Sequence, residues 1–245
     1  MKDSCGQEKQ VLWDFRNARP TALESTEAET LSVMAYLFGR GMNQDEGTEK
    51  EPELRITSKV LGSFTRPNAK ETLYYVGGCG SDMGIVPNFF CSHAEWWNAG
   101  AIAIFDGTKP VAKAYKALGH EVVGVTDVNC DGISEVLSSF GFCGWGTCEF
   151  TLDLGQISNG EYVAIKNFGS VNVDGCDGFP PPGMMASRGA VITYTPTRSG
   201  NMPEFTVEYY GRVCDATDWQ SISKELFENP LMQLGEPPKQ GDLDE

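Results

Sequence analysis

Strand-like runs separated by turn residues fill the middle of the chain, and they restrict the fold more than any other feature. The runs lie between residues 54 and 214, from LRITSKVLGSF at the start to EFTVEYYGRV at the end. They are rich in Val, Thr, Tyr and Phe, and apolar and polar residues alternate most clearly in the last of them. The sequence therefore predicts a mainly β fold, with a β-rich domain over residues 54–214.

Helix-forming residues lie toward the two ends of the chain. Between Thr21 and Phe38, apolar residues recur at roughly helical intervals, and glutamates occupy the early turns, where carboxylates favour the helix dipole. The glycines after Phe38 predict the end of this helix. The segment DWQSISKELFENPLMQL predicts a second, shorter helix. We expect an N-terminal helical segment and linker over 1–53, and a C-terminal helix with an acidic tail over 215–245.

The charge balance restricts the possible partners. The formal net charge is −15, from 34 acidic against 19 basic residues, which disfavours nucleic acid and anionic lipid and suits divalent cations or basic partners. No apolar run approaches the roughly 18 to 20 residues that a membrane-spanning helix needs. The start of the chain lacks a basic segment followed by an apolar one, so we expect that any signal peptide has been removed.

The eight cysteines favour an oxidising compartment, because this number is high for a reducing cytosol. None has the C-x-x-C spacing of a zinc or redox site. Candidate disulfides are Cys143–Cys148, Cys79–Cys91 and Cys176–Cys214. These pairs leave Cys5 and Cys130, and Cys5 follows a serine and precedes a polar segment, as after the cleavage site of a bacterial lipoprotein. It is a possible lipid anchor, although the apolar segment that a lipoprotein signal requires does not precede it.

Oxygen-bearing side chains occupy alternate positions at the start of VTDVNCDGISEVL, and a glycine follows the last of them. Calcium is bound by about six to eight carboxylate, amide and carbonyl oxygens, and oxygens at alternate positions converge when the chain wraps around an ion. Glycine at position 6, Gly132, permits the sharp turn that this wrapping needs. The sequence predicts a Ca²⁺ site with these ligands: Asp127, Asn129, Asp131, the carbonyl of Ile133, and Glu135.

An EF-hand begins with the same pattern, but it requires a carboxylate at position 12 and a helix afterwards. Position 12 is Ser138, and the following SFGFCGWG does not favour a helix. The pattern D-x-N-x-D-G-x-x-E-V-L instead resembles the calcium loop of FG-GAP repeats, which form the blades of integrin-α-type β-propellers. The resemblance implies a loop between two strands, with the acid at position 9 starting the second strand.

A degenerate copy of this loop lies 64 residues earlier, within 62–73. Its positions 1, 3, 5, 6 and 9 are Ser63, Thr65, Pro67, Asn68 and Glu71. Most of the ligands are lost, so we expect no ion there. A propeller needs about 4 to 8 blades, and residues 54–214 hold only two or three at this period. The chain is therefore either a propeller fragment or, as we favour, a compact propeller-like antiparallel β-domain with N- and C-terminal helices covering open sheet edges.

Catalytic motifs such as G-x-S-x-G, H-E-x-x-H and G-K-[ST] are absent from the sequence. His93 is the best candidate for a general base, but a structural role is favoured. Core packing is the default for Trp96, Trp97 and Trp145, although they also suit an aromatic platform for a sugar or a partner. A pair of carboxylates for glycoside hydrolysis stays possible, because folding brings such pairs together from distant positions.

These features favour a non-catalytic β-domain that binds one calcium ion and recognises a protein or a glycan. The expected location is secreted, periplasmic or at the cell surface. One alternative is a secreted hydrolase acting on glycan or peptide, with the calcium loop as scaffold. A second alternative is a structural or assembly subunit whose acidic tail and helices contact other subunits.

Overall fold

The computed structural model describes residues 8–17, 23–39, 55–77, 100–117, 121–144, 146–178, 180–181, 183–197 and 200–230. The strands are β1 (Gln10–Asp14), β2 (Arg55–Gly62), β3 (Glu71–Gly77), β4 (Gly100–Asp106), β5 (Lys109–Ala117), β6 (Glu121–Thr126), β7 (Glu135–Gly144), β8 (Thr147–Ser158), β9 (Glu161–Asp174), β10 (Ser187–Tyr194), β11 (Phe205–Arg212) and β12 (Gln220–Ile222). The helices are α1 (Glu27–Phe38) and α2 (Lys224–Glu228), with a single 3₁₀ turn at Cys176–Gly178. The predicted mainly β class with flanking helices is confirmed.

The strands form two antiparallel sheets. The large sheet is curled and has the order β12-β11-β10-β9-β8-β7-β6, and β1 pairs with β10 beside this path. The small sheet has the order β2-β3-β4-β5. Within each sheet, most neighbours in space are also neighbours in sequence, because short turns connect them as hairpins.

One hydrophobic core is shared between the two sheets. The buried side chains of this core come from the small sheet and its turns (Phe64, Leu73, Tyr75, Ile102, Ile104, Ala114) and from the large sheet (Val122, Val136, Ile157). Strand β2 lies beside β6, where the Val122 N–H donates to Ser58 Oγ at 2.8 Å. The sheets are therefore joined by apolar packing and by this buried hydrogen bond.

Helix α1 packs on the opposite face of the small sheet. It buries Val33, Met34, Leu37 and Phe38 against β3 and β4. The helix begins at Glu27, several residues after the predicted start, because Thr26 is an N-cap in a capping box with Glu29. Its predicted end is confirmed, since the Gly39 N–H donates to the Ala35 carbonyl.

The termini contain two strands that the sequence did not predict. The polar segment before residue 20 includes β1, whose Gln10 pairs with Tyr194. The segment predicted as the C-terminal helix begins instead with β12, in which Gln220 pairs with Gly211. The helix itself is only Lys224–Glu228, starting where the Ser223 hydroxyl accepts the Leu226 N–H. Pairing with an existing sheet edge outweighs weak local helix propensity in both segments.

Two of the three candidate disulfides are confirmed. Cys143–Cys148 closes the turn between β7 and β8, and Cys176–Cys214 joins the 3₁₀ turn to the end of β11. Cys130 is disulfide-bonded as well.

Several predicted features lie outside the described residues, so the structure does not report on them. They are the Cys79–Cys91 pair, Cys5, His93, Trp96, Trp97, Trp145, the linker that ends at residue 53, and the acidic tail. In the parts of the chain that the structure does describe, no helix is long and apolar enough to span a bilayer.

Candidate metal centre

The predicted calcium loop connects β6 to β7. We call residues 127–135 the second loop and the corresponding residues 63–71, between β2 and β3, the first loop. Glu135 is the first residue of β7 and pairs with Thr126 at the end of β6. The proposed ligands differ in exposure: Asp131 is exposed, Asp127 and Ile133 are half-buried, and Asn129 and Glu135 are buried.

The second loop wraps around its own short polar side chains. The Asp127 carboxylate accepts the N–H groups of Asp131 (3.2 Å) and Gly132 (2.9 Å). Asn129 Oδ1 accepts the Asp131 N–H at 3.1 Å, and Asp131 Oδ1 accepts the Ile133 N–H at 2.7 Å. Asp and Asn suit these positions because their side chains are short enough to reach backbone amides a few residues further on.

Gly132 is required at position 6 for two reasons. Its φ of 85° lies in the left-handed region, which residues with a Cβ rarely adopt. A Cβ built on it would also lie 2.9 Å from Pro67 Cβ of the first loop. The predicted sharp turn is therefore present, and it lies in direct contact with the other loop.

Glu135 is the most unusual residue of the site. Its side chain is fully buried, with 0% exposure, and Oε2 accepts the Val128 N–H at 2.9 Å. The other oxygen, Oε1, is buried and has no hydrogen-bond partner among the described residues. Burial, and to a smaller extent the nearby charges of Asp131 and Asp127, raise the pKa of this carboxyl to about 7. A buried acceptor without a donor costs about 1–3 kcal/mol, so this oxygen needs a partner.

The first loop holds an equivalent glutamate in the same hairpin register. Glu71 pairs with Gly62 as Glu135 pairs with Thr126, and each glutamate is fully buried. At position 6 of the first loop, Asn68 has a φ of 57° where Gly132 has 85°. The two loops therefore share the left-handed residue at position 6, but Cys130 at position 4 of the second loop also has a positive φ, of 59°, and Arg66 of the first does not.

The environment of Glu71 differs from that of Glu135 in its donors. Glu71 Oε2 accepts the N–H groups of Phe64 (2.7 Å) and Thr65 (2.9 Å), and Oε1 accepts the Thr65 hydroxyl. The Arg66 guanidinium lies 4.0 Å from Oε1. Both oxygens of Glu71 therefore have partners within the protein.

The structure does not arrange the acidic side chains of the second loop as a finished metal site. Within the described residues, no group of three His, Cys, Asp or Glu side chains has the proximity that holds an ion. The Asp127 and Asp131 carboxylates instead face backbone amides of their own loop. The donor set nevertheless consists of oxygen atoms only, and the Cys130 sulfur is already in a disulfide, so no thiolate competes. The chemistry of these donors fits calcium, and Glu135 Oε1 is the one that is buried without a hydrogen-bond partner among the described residues.

A half-buried aromatic cluster, with residues directly after β1, on β11 and in the segment before β12, was not predicted from the sequence. The Phe15 ring lies 4.5 Å from Trp219 and 5.9 Å from Tyr210 between centroids. The guanidinium of Arg212 lies 4.8 Å from the Trp219 ring, and that of Arg16 lies 5.2 Å from Tyr210. No local pattern signals this cluster, because its members are far apart in sequence and are joined only by sheet pairing.

Comparisons of the chain with protein-family models, with curated proteins and with solved structures found no match. The functional argument therefore depends on the chain's own residues. The second loop, with its buried and incompletely bonded glutamate, is the feature that most needs a functional explanation.

Proposed function

We propose that the second loop binds one calcium ion and that the chain is a non-catalytic, extracytoplasmic β-domain that recognises a protein or a glycan. The ligands would be the side chains of Asp127, Asn129, Asp131 and Glu135 together with the carbonyl of Ile133. The ion would be structural, fixing the β6–β7 hairpin and the surface beside it.

The observation that carries this proposal is the bonding of Glu135. One of its two buried carboxylate oxygens receives no hydrogen bond from any described group, while Glu71 at the same place in the first loop is fully bonded. Burying an uncompensated carboxylate is costly, and a divalent cation supplies the missing positive charge. The carboxylates of Asp127 and Asp131 make a cation more favourable here, because they are already close enough to raise the pKa of Glu135.

The decisive experiment is thermal unfolding of the full chain after chelation, followed by addition of calcium or magnesium. A ligand that binds only the folded state contributes about 2.7 kcal/mol at one hundred times its dissociation constant. We expect a calcium-selective rise in Tm, and titration calorimetry should give one site per chain. An unchanged Tm, with no heat of binding, would rule out the calcium site.

The extracytoplasmic location is supported by the disulfides Cys143–Cys148 and Cys176–Cys214, because such bonds persist in oxidising compartments. Counting free thiols in protein isolated from its natural compartment tests this part of the proposal. We expect no reaction of these four cysteines until a reductant is added. Anchoring through a lipid at Cys5 stays a proposal, and mass spectrometry of the natural protein would detect the lipid.

Recognition is best supported by the cluster of Phe15, Tyr210 and Trp219 with Arg16 and Arg212. These half-buried aromatic rings, with guanidinium groups over two of them, offer apolar and cation–π contact area of a kind typical of recognition surfaces. Binding to an array of glycans tests the glycan class, and we expect Trp219→Ala to abolish any signal. The matched control is Leu61→Ala, which removes an exposed apolar side chain from β2.

A further inference from the structure

The second loop is hydrogen-bonded directly to the first loop. The Ser134 N–H donates to the Ser63 carbonyl at 2.6 Å, and the Asn68 N–H donates to the Gly132 carbonyl at 2.9 Å. The Ser63 N–H donates to Ser134 Oγ at 3.1 Å. Both serines are buried, so water competes little for these bonds.

These bonds cross from one sheet to the other. The first loop belongs to the β2–β3 hairpin of the small sheet, and the second loop belongs to the β6–β7 hairpin of the large sheet. The buried bond from the Val122 N–H to Ser58 Oγ joins the same two hairpins, five residues before each loop begins. The inter-loop bonds therefore join the two sheets at the end of the hairpins where the loops lie, and the Val122–Ser58 bond joins them within the strands.

The residues that make these contacts are interleaved with the proposed ligands. The Asn129 carbonyl also accepts the Gly200 N–H, at 3.2 Å, from the connection between β10 and β11. The Asn129 contact stays within the large sheet, whereas Gly132 and Ser134 bond to the first loop, and each of these two residues is the direct neighbour of a proposed ligand. Any movement of the ligands therefore moves the contacts that join the sheets.

We infer that ion binding at the second loop determines how firmly the two sheets are joined, an inference that rests on the proposed calcium site. Without a cation, the carboxylates of Asp127, Asp131 and Glu135 repel one another within one short loop, which favours more open conformations. A cation removes that repulsion and favours the conformation that bonds to the first loop. Because energetic coupling between two events is reciprocal, the inter-loop bonds in turn raise the calcium affinity.

The first test compares calcium affinity in two serine variants of the full chain by titration calorimetry. Ser134→Ala removes the acceptor of the Ser63 N–H, whereas Ser58→Ala removes the acceptor of the Val122 N–H. Both bonds are buried and join the same two hairpins, but only the first involves the second loop. We expect Ser134→Ala to weaken calcium binding about 3- to 10-fold. Ser58→Ala should lower Tm yet leave the affinity within about two-fold.

The second test needs no variant and therefore does not depend on a substituted chain that folds. Hydrogen exchange of single amides is measured on the wild-type chain with chelator and with saturating calcium. We expect calcium to slow the exchange of the Asn68 and Ser134 amides by about ten-fold or more, while the exchange rate of the Val122 amide changes little.

The outcomes separate this inference from the calcium site itself. If wild type binds calcium but Ser134→Ala binds equally well and the Asn68 amide is unaffected, the coupling between the sheets is refuted and the calcium site stands. If wild type binds no calcium, the proposed function fails and the inference fails with it.

Discussion

The first and second loops each bury a glutamate, but its carboxylate is bonded differently in the two loops. Each hairpin buries a glutamate at the start of its second strand, at the same register. In the first loop, Thr65 and the backbone supply donors to both oxygens of Glu71. In the second loop, the residue at the position of Thr65 is Asn129, whose side chain bonds within the loop instead. The second loop therefore has fewer hydrogen-bond donors to its buried glutamate than the first loop has, and it has more carboxylates.

This difference indicates what a buried carboxylate needs from its surroundings. The first loop needs no ligand, because protein donors bond both carboxylate oxygens of Glu71. The second loop adds Asp127 and Asp131 where the first has Ser63 and Pro67, so its negative charge grows while its donors decrease. Under the proposed function, a cation balances the three carboxyls of this loop when all of them are ionised. The comparison therefore predicts that calcium stabilises the second loop and has no direct effect on the first.

The largest effect is expected from Glu71→Ala. This substitution leaves the buried N–H groups of Phe64 and Thr65 without an acceptor and opens a cavity, so we expect a loss on the order of 3–5 kcal/mol in unfolding free energy. Denaturant titration measures it, and the loss should be the same with calcium and with chelator. A loss that calcium largely restores would show that the first loop also depends on an ion.

The next effect concerns position 1 of each loop. Asp127→Ala removes a proposed ligand and the acceptor of the Gly132 N–H, so the calcium-dependent gain, about 2.7 kcal/mol at one hundred times the dissociation constant, should disappear. Asp131→Ala should have the same effect. Ser63→Ala is the matched control in the first loop and should keep the full calcium response. Equal losses at Asp127 and Ser63 would mean that the assignment of ligands to one loop is wrong.

The ionisation of Glu135 gives the chelated protein a distinctive pH dependence. Its folded-state pKa of about 7 lies above the ordinary value of 4.5, so the folded state holds this proton more tightly than the unfolded state. Stability should therefore fall as pH rises from about 4.5 to about 7, and stay reduced above that range. We expect Glu135→Gln to remove this fall and to be more stable than chelated wild type at pH 8 by about 1–3 kcal/mol.

With calcium, wild type should be more stable than Glu135→Gln at pH 8, because the amide of the variant is a weaker ligand than a carboxylate. The measurement is the unfolding free energy of both proteins across this pH range, with and without calcium. A chelated wild type whose stability rises steadily from pH 4.5 to 7 would contradict the role assigned to the buried carboxyl.

The sequence predicted those features that depend on local pattern. Strand alternation and turn residues predicted the mainly β class, and the spacing of Cys143 and Cys148 indicated their disulfide. The loop pattern correctly placed Glu135 at the start of a strand, since turn chemistry is decided within a few residues. Whether that loop binds calcium stays a prediction.

Long-range contacts were beyond the sequence. Strand β1 pairs with residues about 180 positions later, and its own polar composition does not reveal this. Glu71 and Glu135 lie in the same hairpin register, but the residues before them differ: Ser63 and Pro67 stand in the first loop where the second has Asp127 and Asp131. The donors to each carboxylate come from its own loop, but the residue pattern alone did not show that the Thr65 hydroxyl and the Phe64 N–H reach Glu71 whereas Glu135 receives, among the described residues, only the Val128 N–H.

The smallest expected effect is also the sharpest test of the comparison, because the substitution introduces into the second loop the hydroxyl donor that Glu71 has in the first. Asn129→Thr places a hydroxyl at the position of Thr65, within reach of a glutamate that lies in the same hairpin register. If the threonine hydroxyl donates to Glu135 as Thr65 does to Glu71, the chelated protein should gain about 1 kcal/mol in unfolding free energy. Calcium affinity should fall, because an amide ligand is lost and the carboxylate is already bonded.

The converse substitution, Thr65→Asn, should destabilise the first loop without creating a calcium site, since that loop lacks the flanking aspartates. Denaturant titration with and without calcium measures both variants. If Asn129→Thr weakens the chelated protein and Thr65→Asn is neutral, hydroxyl donation does not explain why only one loop is complete by itself.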